Sequence, residues 1–367
     1  MPGTDRPRSA RHRRGRLSRR GKVVAASTTV VVAIGAALGY FALFPKQAPA
    51  FVQKTLVTVG LADPSEVEPQ ATCPLTGEVE PSGRVPDRPA LAVKVENAPE
   101  AWPQASLNDA DVVVEEPVEG GYTRFIAIFH CGNSDRVGPI RSVRMTDPDY
   151  LRQLGSAVFA YSGGAPAVTR ELAESDLVDV NYGIAADAYT RDPARSAPHD
   201  LYSSTKALRK AAGEKEGTPS ALFTFSETWE GRGRRVTAAH LPYSSVSDVS
   251  WEWRRAARAW FRSHGDAAHM LEGDEQVSVT NVVIQVVQVT DSRIVDAAGN
   301  PSPNVKLTGT GKAYVLRDGK VVVGSWERRG LDEPTTFLTK DGEDISLAPG
   351  RTWVQLLPSW VPVELTR

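Results

Sequence analysis

Little in this sequence belongs to a familiar catalytic vocabulary. It has no G-x-S-x-G elbow, no H-E-x-x-H, no P-loop and no paired C-x-x-C, which excludes the commonest serine hydrolase, zinc peptidase, nucleotide-hydrolysing and zinc-ribbon readings. No cofactor and no metal is expected from these patterns. Cysteine is scarce, with Cys73 and Cys131 alone in 367 residues. There is no internal repeat, and charge is missing altogether from Val23 to Phe44, 22 consecutive residues.

What is present describes a folded chain. Hydrophobic residues make up 41% and charged residues 24%, close to globular averages, so a sizeable core can be buried. The formal net charge of -1 conceals an asymmetry: residues 1–22 hold eight Arg and one Lys against a single Asp. A basic tail can bind nucleic acid, but this one runs straight into the uncharged stretch and reads as a topology signal; no nucleic-acid partner is expected. A transmembrane helix needs roughly 20 apolar residues, whereas the apolar region of a cleavable signal peptide has only about 7–15. Residues 23–44 therefore read as an uncleaved transmembrane anchor, and cleavage after Ala48-Pro49-Ala50 is the alternative. The positive-inside tendency keeps residues 1–22 in the cytoplasm as a basic tail and places everything beyond Phe44 outside. The membrane is thus an expected partner through the N-terminal helix, in a single-pass cell-membrane protein.

Residues 45–72 form a Pro-rich linker. From Ala90 onward strands alternate with short helices: "ALAVKVE", "DVVVEE" and "YTRFIAIF" read as strands, and "SLND" as a helical turn before the second. "DPDYLRQLG" reads as a helix with Asp147 as its N-cap and Pro148 at the first position. The strand "SAVFAY", the loop "SGGAP" and the helix "AVTRELAES" follow, then a helix in "SSTKALRKAA". The expectation is an α/β domain over 73–212, a polar boundary at "GEKEGTPS" and a mainly β domain over 221–367. In the latter, "RDGK" suits a two-residue hairpin turn, and "NVVIQVVQV", apolar on both alternating faces, suits a central buried strand. The fold class is α+β.

Several phrases taken together, "CPLTGE", "RPALAVKVEN", "ADVVVEEPVEGGYTRFIAIF", "GPIRSVR", "RDPARSAPHDLY", "TGTGKAYVLRDGKVVVGSWER" and "LAPGRTWVQLLP", resemble the YerB-like family of Gram-positive bacteria. The resemblance runs from about Cys73 to Pro358 and implies an extracytoplasmic, membrane-tethered protein with an N-terminal and a C-terminal domain of unknown function. It implies no biochemical activity. A lipid anchor requires a cysteine just after a short apolar region, whereas Cys73 lies 29 residues past Phe44, so a transmembrane anchor is expected in place of the lipid. In relatives an acidic residue stands two places after the histidine of "HML"; here that place is Leu271, which argues against a metal or acid–base role for His269.

Three stretches carry candidate chemistry. In "EEPVEGGYTRF" the alternatives are a strand connection in which Arg124 pairs with Glu115 or Glu119, and a cluster in which Glu115, Glu116 and Glu119 bind a hard cation or act as acid and base. In "SAVFAYSGGAPAVTRELAES" the strand, Gly-rich loop and helix aim backbone N–H groups at one point, and Arg141 and Arg144 of "GPIRSVR" can fork onto an anion there. The alternative is that Gly163 and Gly164 only turn the chain while the arginines pair with Asp147 or Asp149. "RDPARSAPHD" adds Arg195 and His199, the latter the one histidine considered for proton transfer. "HGDAAHMLEGDE" collects acids and histidines without metal spacing and reads as an exposed β-connection, and Trp251, Trp253 and Trp260 read as core.

The first expectation is therefore a binding protein of the cell envelope. An anionic or polar ligand, such as an anionic envelope polymer, would be held by Arg124, Arg141, Arg144, Arg195 and the loop Ser162, Gly163, Gly164. A hydrolase or transferase using Glu115, Glu119 and His199 comes second, and a scaffold for membrane partners third. Nothing in the sequence fixes an oligomeric state. Cys73 and Cys131, both beyond the anchor and so in an oxidising compartment, are expected to form a disulfide.

Overall fold

Alternation along the strands decides the architecture. In the computed structural model Leu91, Val93 and Val95 enter one hydrophobic cluster together with Val113, Phe125, Ala127 and Phe129. Ala92, Val112, Val114, Ile126 and Ile128, the residues between them, enter a second. A strand places successive side chains on opposite faces, so these are the two faces of one sheet, both covered. Trp251, Trp260 and Leu241 share the first cluster, while Val143, Leu151, Val168 and Leu172 share the second.

The structure describes residues 71–229, 231, 233–296 and 298–367, and from the first 70 only Phe41, Leu56, Gly60 and Leu61. The basic tail, the expected anchor, the possible cleavage point after Ala50 and most of the linker lie outside these residues. Among the described residues no helix is long and apolar enough to cross a membrane.

The first part of the fold comprises β1 (Leu91–Val95), β2 (Val112–Pro117), β3 (Thr123–Phe129), α1 (Thr146–Leu151), β4 (Val158–Ala160), α2 (Pro166–Ala173), β5 (Val178–Asp179), β6 (Tyr189–Arg191), β7 (Leu201–Ser203) and α3 (Thr205–Ala212). The second begins with β8 (Arg234–Arg235), β9 (Ala238–Pro242), β10 (Asp248–Arg254), β11 (Ala259–His264), β12 (Ala267–Ala268) and β13 (Ser278–Val279). It continues with β14 (Asn281–Val295), β15 (Pro301–Lys306), β16 (Gly309–Arg317), β17 (Lys320–Arg328), β18 (Thr336–Leu338), β19 (Thr352–Pro358) and β20 (Glu364–Thr366).

These strands build a 12-stranded sheet in the order β18-β17-β16-β14-β19-β2-β3-β1-β4-β5, with β15 on β14 and β8 on β17, and a six-stranded sheet ordered β12-β11-β10-β9-β20 with β13 on β11. The polar stretch at 213–220 does not divide two sheets. β19 lies parallel to both β14 and β2, pairing Thr352 with Val112 and Gln355 with Glu115, so strands from both regions share one ladder. Ala71–Arg367 is accordingly one compact unit. The content is α+β, mostly strand with few helices.

Local chemistry explains the elements. Asp318 and Gly319 both take positive φ, 50° and 68°, and close β16 onto β17 as an Asp-Gly hairpin should. β14 is buried from Asn281 to Gln285, in keeping with its two apolar faces. Ser204 caps α3 by accepting the Ala207 N–H at 3.1 Å, and Pro166 opens α2. α1 departs from expectation: it begins at Thr146, and Asp147 sits inside its first turn, where its carboxylate accepts the Arg144 backbone N–H at 2.6 Å. Trp251 and Trp260 are fully buried. Cys73 and Cys131 form a disulfide with Cα atoms 6.1 Å apart, which joins the chain before β1 to the end of β3.

Candidate ligand-binding cleft

"EEPVEGGYTRF" resolves into two glutamates with opposite directions. β2 and β3 pair antiparallel, Glu115 opposite Phe125 and Glu116 opposite Arg124, so Glu115 points toward the six-stranded sheet and Glu116 toward the helices. Glu115 is fully buried and does not line the cleft described below. Arg262 donates to it from Nε and Nη2 at 3.2 and 2.8 Å, Thr123 from Oγ1 at 2.8 Å and Trp353 from Nε1 at 3.1 Å. Arg262 also meets His269 Nδ1 at 2.8 Å, and His269 Nε2 lies 2.9 Å from Gln104 Oε1. Burial, reinforced by the Arg262 charge, pushes the His264 imidazole down to about 2 and His269 well below its ordinary value. His269 is therefore a neutral part of the core, and His264 a neutral, half-buried ring beside it. The "HGDAAHMLEGDE" segment is thus not simply an exposed connection, because its histidines turn inward while Glu272 turns out to Arg136 and Arg195.

Glu116 belongs to a second buried group, with Lys94 Nζ between it and Asp147. Burial and then the Asp147 charge push the Glu116 carboxyl up to about 7, against the pull of Lys94.

Six of the remaining candidates, Glu119, Arg124, Arg141, Arg144, Gly164 and His199, line an open cleft of about 570 Å³ beside this group. Arg124 pairs with neither Glu115 nor Glu119. Its Nε donates to Glu96 Oε1 at 3.3 Å, and Arg141 Nε donates to the other oxygen of the same carboxylate. His199 Nδ1 stands 3.7 Å from that oxygen and is buried without a hydrogen bond. Arg144 Nε donates to Glu119 at 2.7 Å, and Ser302 Oγ donates to that glutamate as well. Burial pushes both carboxyls up, but the arginines outweigh it, Arg124 and Arg141 at Glu96 and Arg144 at Glu119, and hold them below the ordinary carboxylate range. Neither is therefore a proton donor at neutral pH.

The Gly-rich loop is engaged with the arginine segment: Ser162 N–H donates to Arg141 O at 3.0 Å and Val143 N–H to Gly163 O at 2.9 Å. Gly164 lines the cleft, and a Cβ there would come within 2.4 Å of Val143 Cγ1, so glycine is required for the close approach. Ser162 and Gly163 are not among the lining residues. Arg195 is directed elsewhere, donating to the Ala101 and Pro103 carbonyls at 3.1 and 2.6 Å and meeting Glu272 at 3.3 Å. The set Glu115, Glu119 and His199 does not assemble, because Glu115 is on the other face of the sheet. For a metal, the one cluster of three His, Cys, Asp or Glu ligand atoms among the described residues is Cys73, Glu80 and Cys131, whose two sulfurs are bonded to each other.

Sequence reasoning missed Glu96, the hub of the cleft, and the arm formed by β14 and β15, which supplies Ile294, Val295 and Ser302 from the second region. The carboxylate ending "VKVE" was a visible signal. The arm had none, since its contact with the first region spans more than 180 residues of sequence, as in Ser302 to Glu119.

Residues 75–218 match the family described as the N-terminal domain of a protein of unknown function, DUF3048, and residues 239–354 match the C-terminal domain of the same family. The chain belongs to this YerB-like family. It is 29% identical over 298 residues to the "Putative lipoprotein YerB" of Bacillus subtilis (strain 168), covering 78% of this chain and 86% of that protein. The crystal structure of YerB protein from Bacillus subtilis has the same fold, with a TM-score of 0.70 at 24% identity over 80% of this chain and 100% of that one.

Proposed function

We propose that the chain is a membrane-anchored, extracytoplasmic binding protein of the cell envelope whose cleft holds an anionic ligand. The observation that carries this reading is the state of Arg141. Its Nε is tied to Glu96, its two terminal nitrogens make no hydrogen bond among the described residues, and a quarter of its side chain is exposed where the residue lines the cleft. A guanidinium anchored from behind and free in front is preorganised for carboxylate or phosphate. Glu96 and Glu119 position the arginines, and their depressed proton affinity speaks for binding in preference to acid–base chemistry. The name of the B. subtilis relative and the uncharged stretch from Val23 to Phe44 support the envelope location.

The test is calorimetric titration of the purified full-length protein with fragments of anionic envelope polymers. Arg141→Ala combined with Arg144→Ala should weaken binding by about 1–3 kcal/mol for each charge-assisted bond removed. Undiminished binding by the double variant would exclude the cleft. Location is tested separately with a reporter fused after Arg367, which should be active only outside the membrane.

A further inference from the structure

The geometry points to a narrower ligand class for this cleft: a singly charged group, carboxylate or phosphodiester, joined to an apolar or ring-bearing body, and not a dianionic phosphate monoester. The inference rests on the anion-binding reading above and adds three observations to it.

The first is charge balance. Three guanidiniums, Arg124, Arg141 and Arg144, meet two carboxylates, Glu96 and Glu119, in direct ion pairs. Both carboxylates are ionised, so the paired set carries one surplus positive charge. Asp296 also lines the cleft, but its carboxylate accepts the backbone N–H groups of Ala298 and Asn300 and the Asn300 side-chain amide at 2.8–3.0 Å, in a turn open to solvent. A partly buried charge is tolerated when it is matched, so one negative charge completes the set and a second is left without a partner.

The second is the count of free donors. Arg124 Nη1 donates to Ser142 O at 3.3 Å, and Arg144 Nη1 to the Ser142 and Val143 carbonyls at 3.3 and 2.9 Å. Arg124 and Arg144 each keep only Nη2 without a hydrogen bond among the described residues, whereas Arg141 keeps both terminal nitrogens, so it alone presents a two-nitrogen fork, which matches two oxygens of a single carboxylate or phosphodiester.

The third is the apolar share of the lining. Val118, Tyr122, Val168, Ile294 and Val295 also line the cleft, and Val295 is 58% exposed. An inorganic ion or a bare charged head leaves this surface wet, whereas a ligand with an apolar or ring-bearing body covers it.

Four probes separate these points in calorimetric titrations of the full-length protein at about pH 8, where a phosphate monoester is a dianion. Methyl phenyl phosphate and benzoate are monoanions with a ring, phenyl phosphate is the corresponding dianion, and dimethyl phosphate is a monoanion without the ring. Methyl phenyl phosphate should bind about tenfold more tightly than either phenyl phosphate or dimethyl phosphate, as expected for one unmatched charge or one lost apolar contact. Benzoate against methyl phenyl phosphate then assigns the head group. Arg141→Lys, which keeps the charge and removes the fork, should weaken both ring-bearing monoanions by about fivefold or more. Equal or tighter binding of phenyl phosphate overturns the monoanion assignment while leaving the anion site intact, and equal binding of dimethyl phosphate overturns the apolar body. Binding of none of the four, or binding untouched by Arg141→Ala, overturns the anion-binding reading itself.

Discussion

Glu115 and Glu116 follow one another in β2, leave the backbone on opposite faces of the large sheet and end in different chemical states. On the face toward the six-stranded sheet, Glu115 receives four hydrogen bonds and is matched by a buried arginine. On the other face, Glu116 shares one lysine with Asp147, and its Oε2 has no hydrogen-bond partner. The cleft arginines lie on this second face, where the surplus is instead one cation not matched by a carboxylate. The contrast shows how the same residue types divide between scaffold and site. Where every donor and charge is matched the group is fixed, and where one is left over the group can answer to a proton or a ligand.

The contrast is broken most strongly at Arg262. Arg262→Leu strands the Glu115 carboxylate in the core and should lower unfolding stability by about 3–5 kcal/mol, read from denaturant midpoints. A loss below about 1 kcal/mol would mean that the network is not the matched scaffold described here.

Covalent closure gives a control outside the residues that line the cleft. Replacing Cys73 and Cys131 by serine opens a loop of 58 residues and should cost about 4 kcal/mol in the chain-entropy model, with no change in affinity at the cleft. Titration of the denatured, unreduced parent should find no free thiol.

Glu116 sharpens the comparison through pH. Its carboxyl is raised from 4.5 to about 7, so the folded chain keeps a proton that the unfolded chain has already released. Stability from this group is present below about pH 4.5 and is lost as pH rises towards 7. Glu116→Gln removes that loss, so the Tm of the variant minus that of the parent should climb between about pH 5 and pH 8. A flat difference would show that Glu116 stays ionised throughout.

The smallest effect belongs to an exposed pair of the same chemistry. Arg152 and Asp332 meet at 2.8 Å with side chains 42% and 74% exposed, and Arg152→Ala should change stability by less than about 1 kcal/mol.

Much of this was legible in the sequence where the information is local. "YTRFIAIF" read as a strand, "RDGK" announced its hairpin, and "NVVIQVVQV" its buried strand. Arg124, Arg141, Arg144, Gly164, Glu119 and His199 were named and do line one cleft. What was not legible is partner choice at long range. Glu115 is 147 residues from Arg262, and nothing near either one in sequence favours that pairing over the expected one with Arg124. Arg195 failed for the same reason: a polar loop advertises its charge but not which carbonyls will take it up.

The placement of β19 between β14 and β2 has a consequence for how the protein is made. A ribosome delivers a chain from its N-terminal side, so β2 waits through synthesis up to Thr352 with one hydrogen-bonding edge unoccupied. The strand that closes the middle of the sheet emerges after every other strand of that sheet, and until then the nascent chain presents an open ladder in what becomes the interior. Such an edge is a template for any other extended chain, which sets a premium on escorting the unfinished polypeptide and makes a product truncated before Thr352 a seed for aggregation.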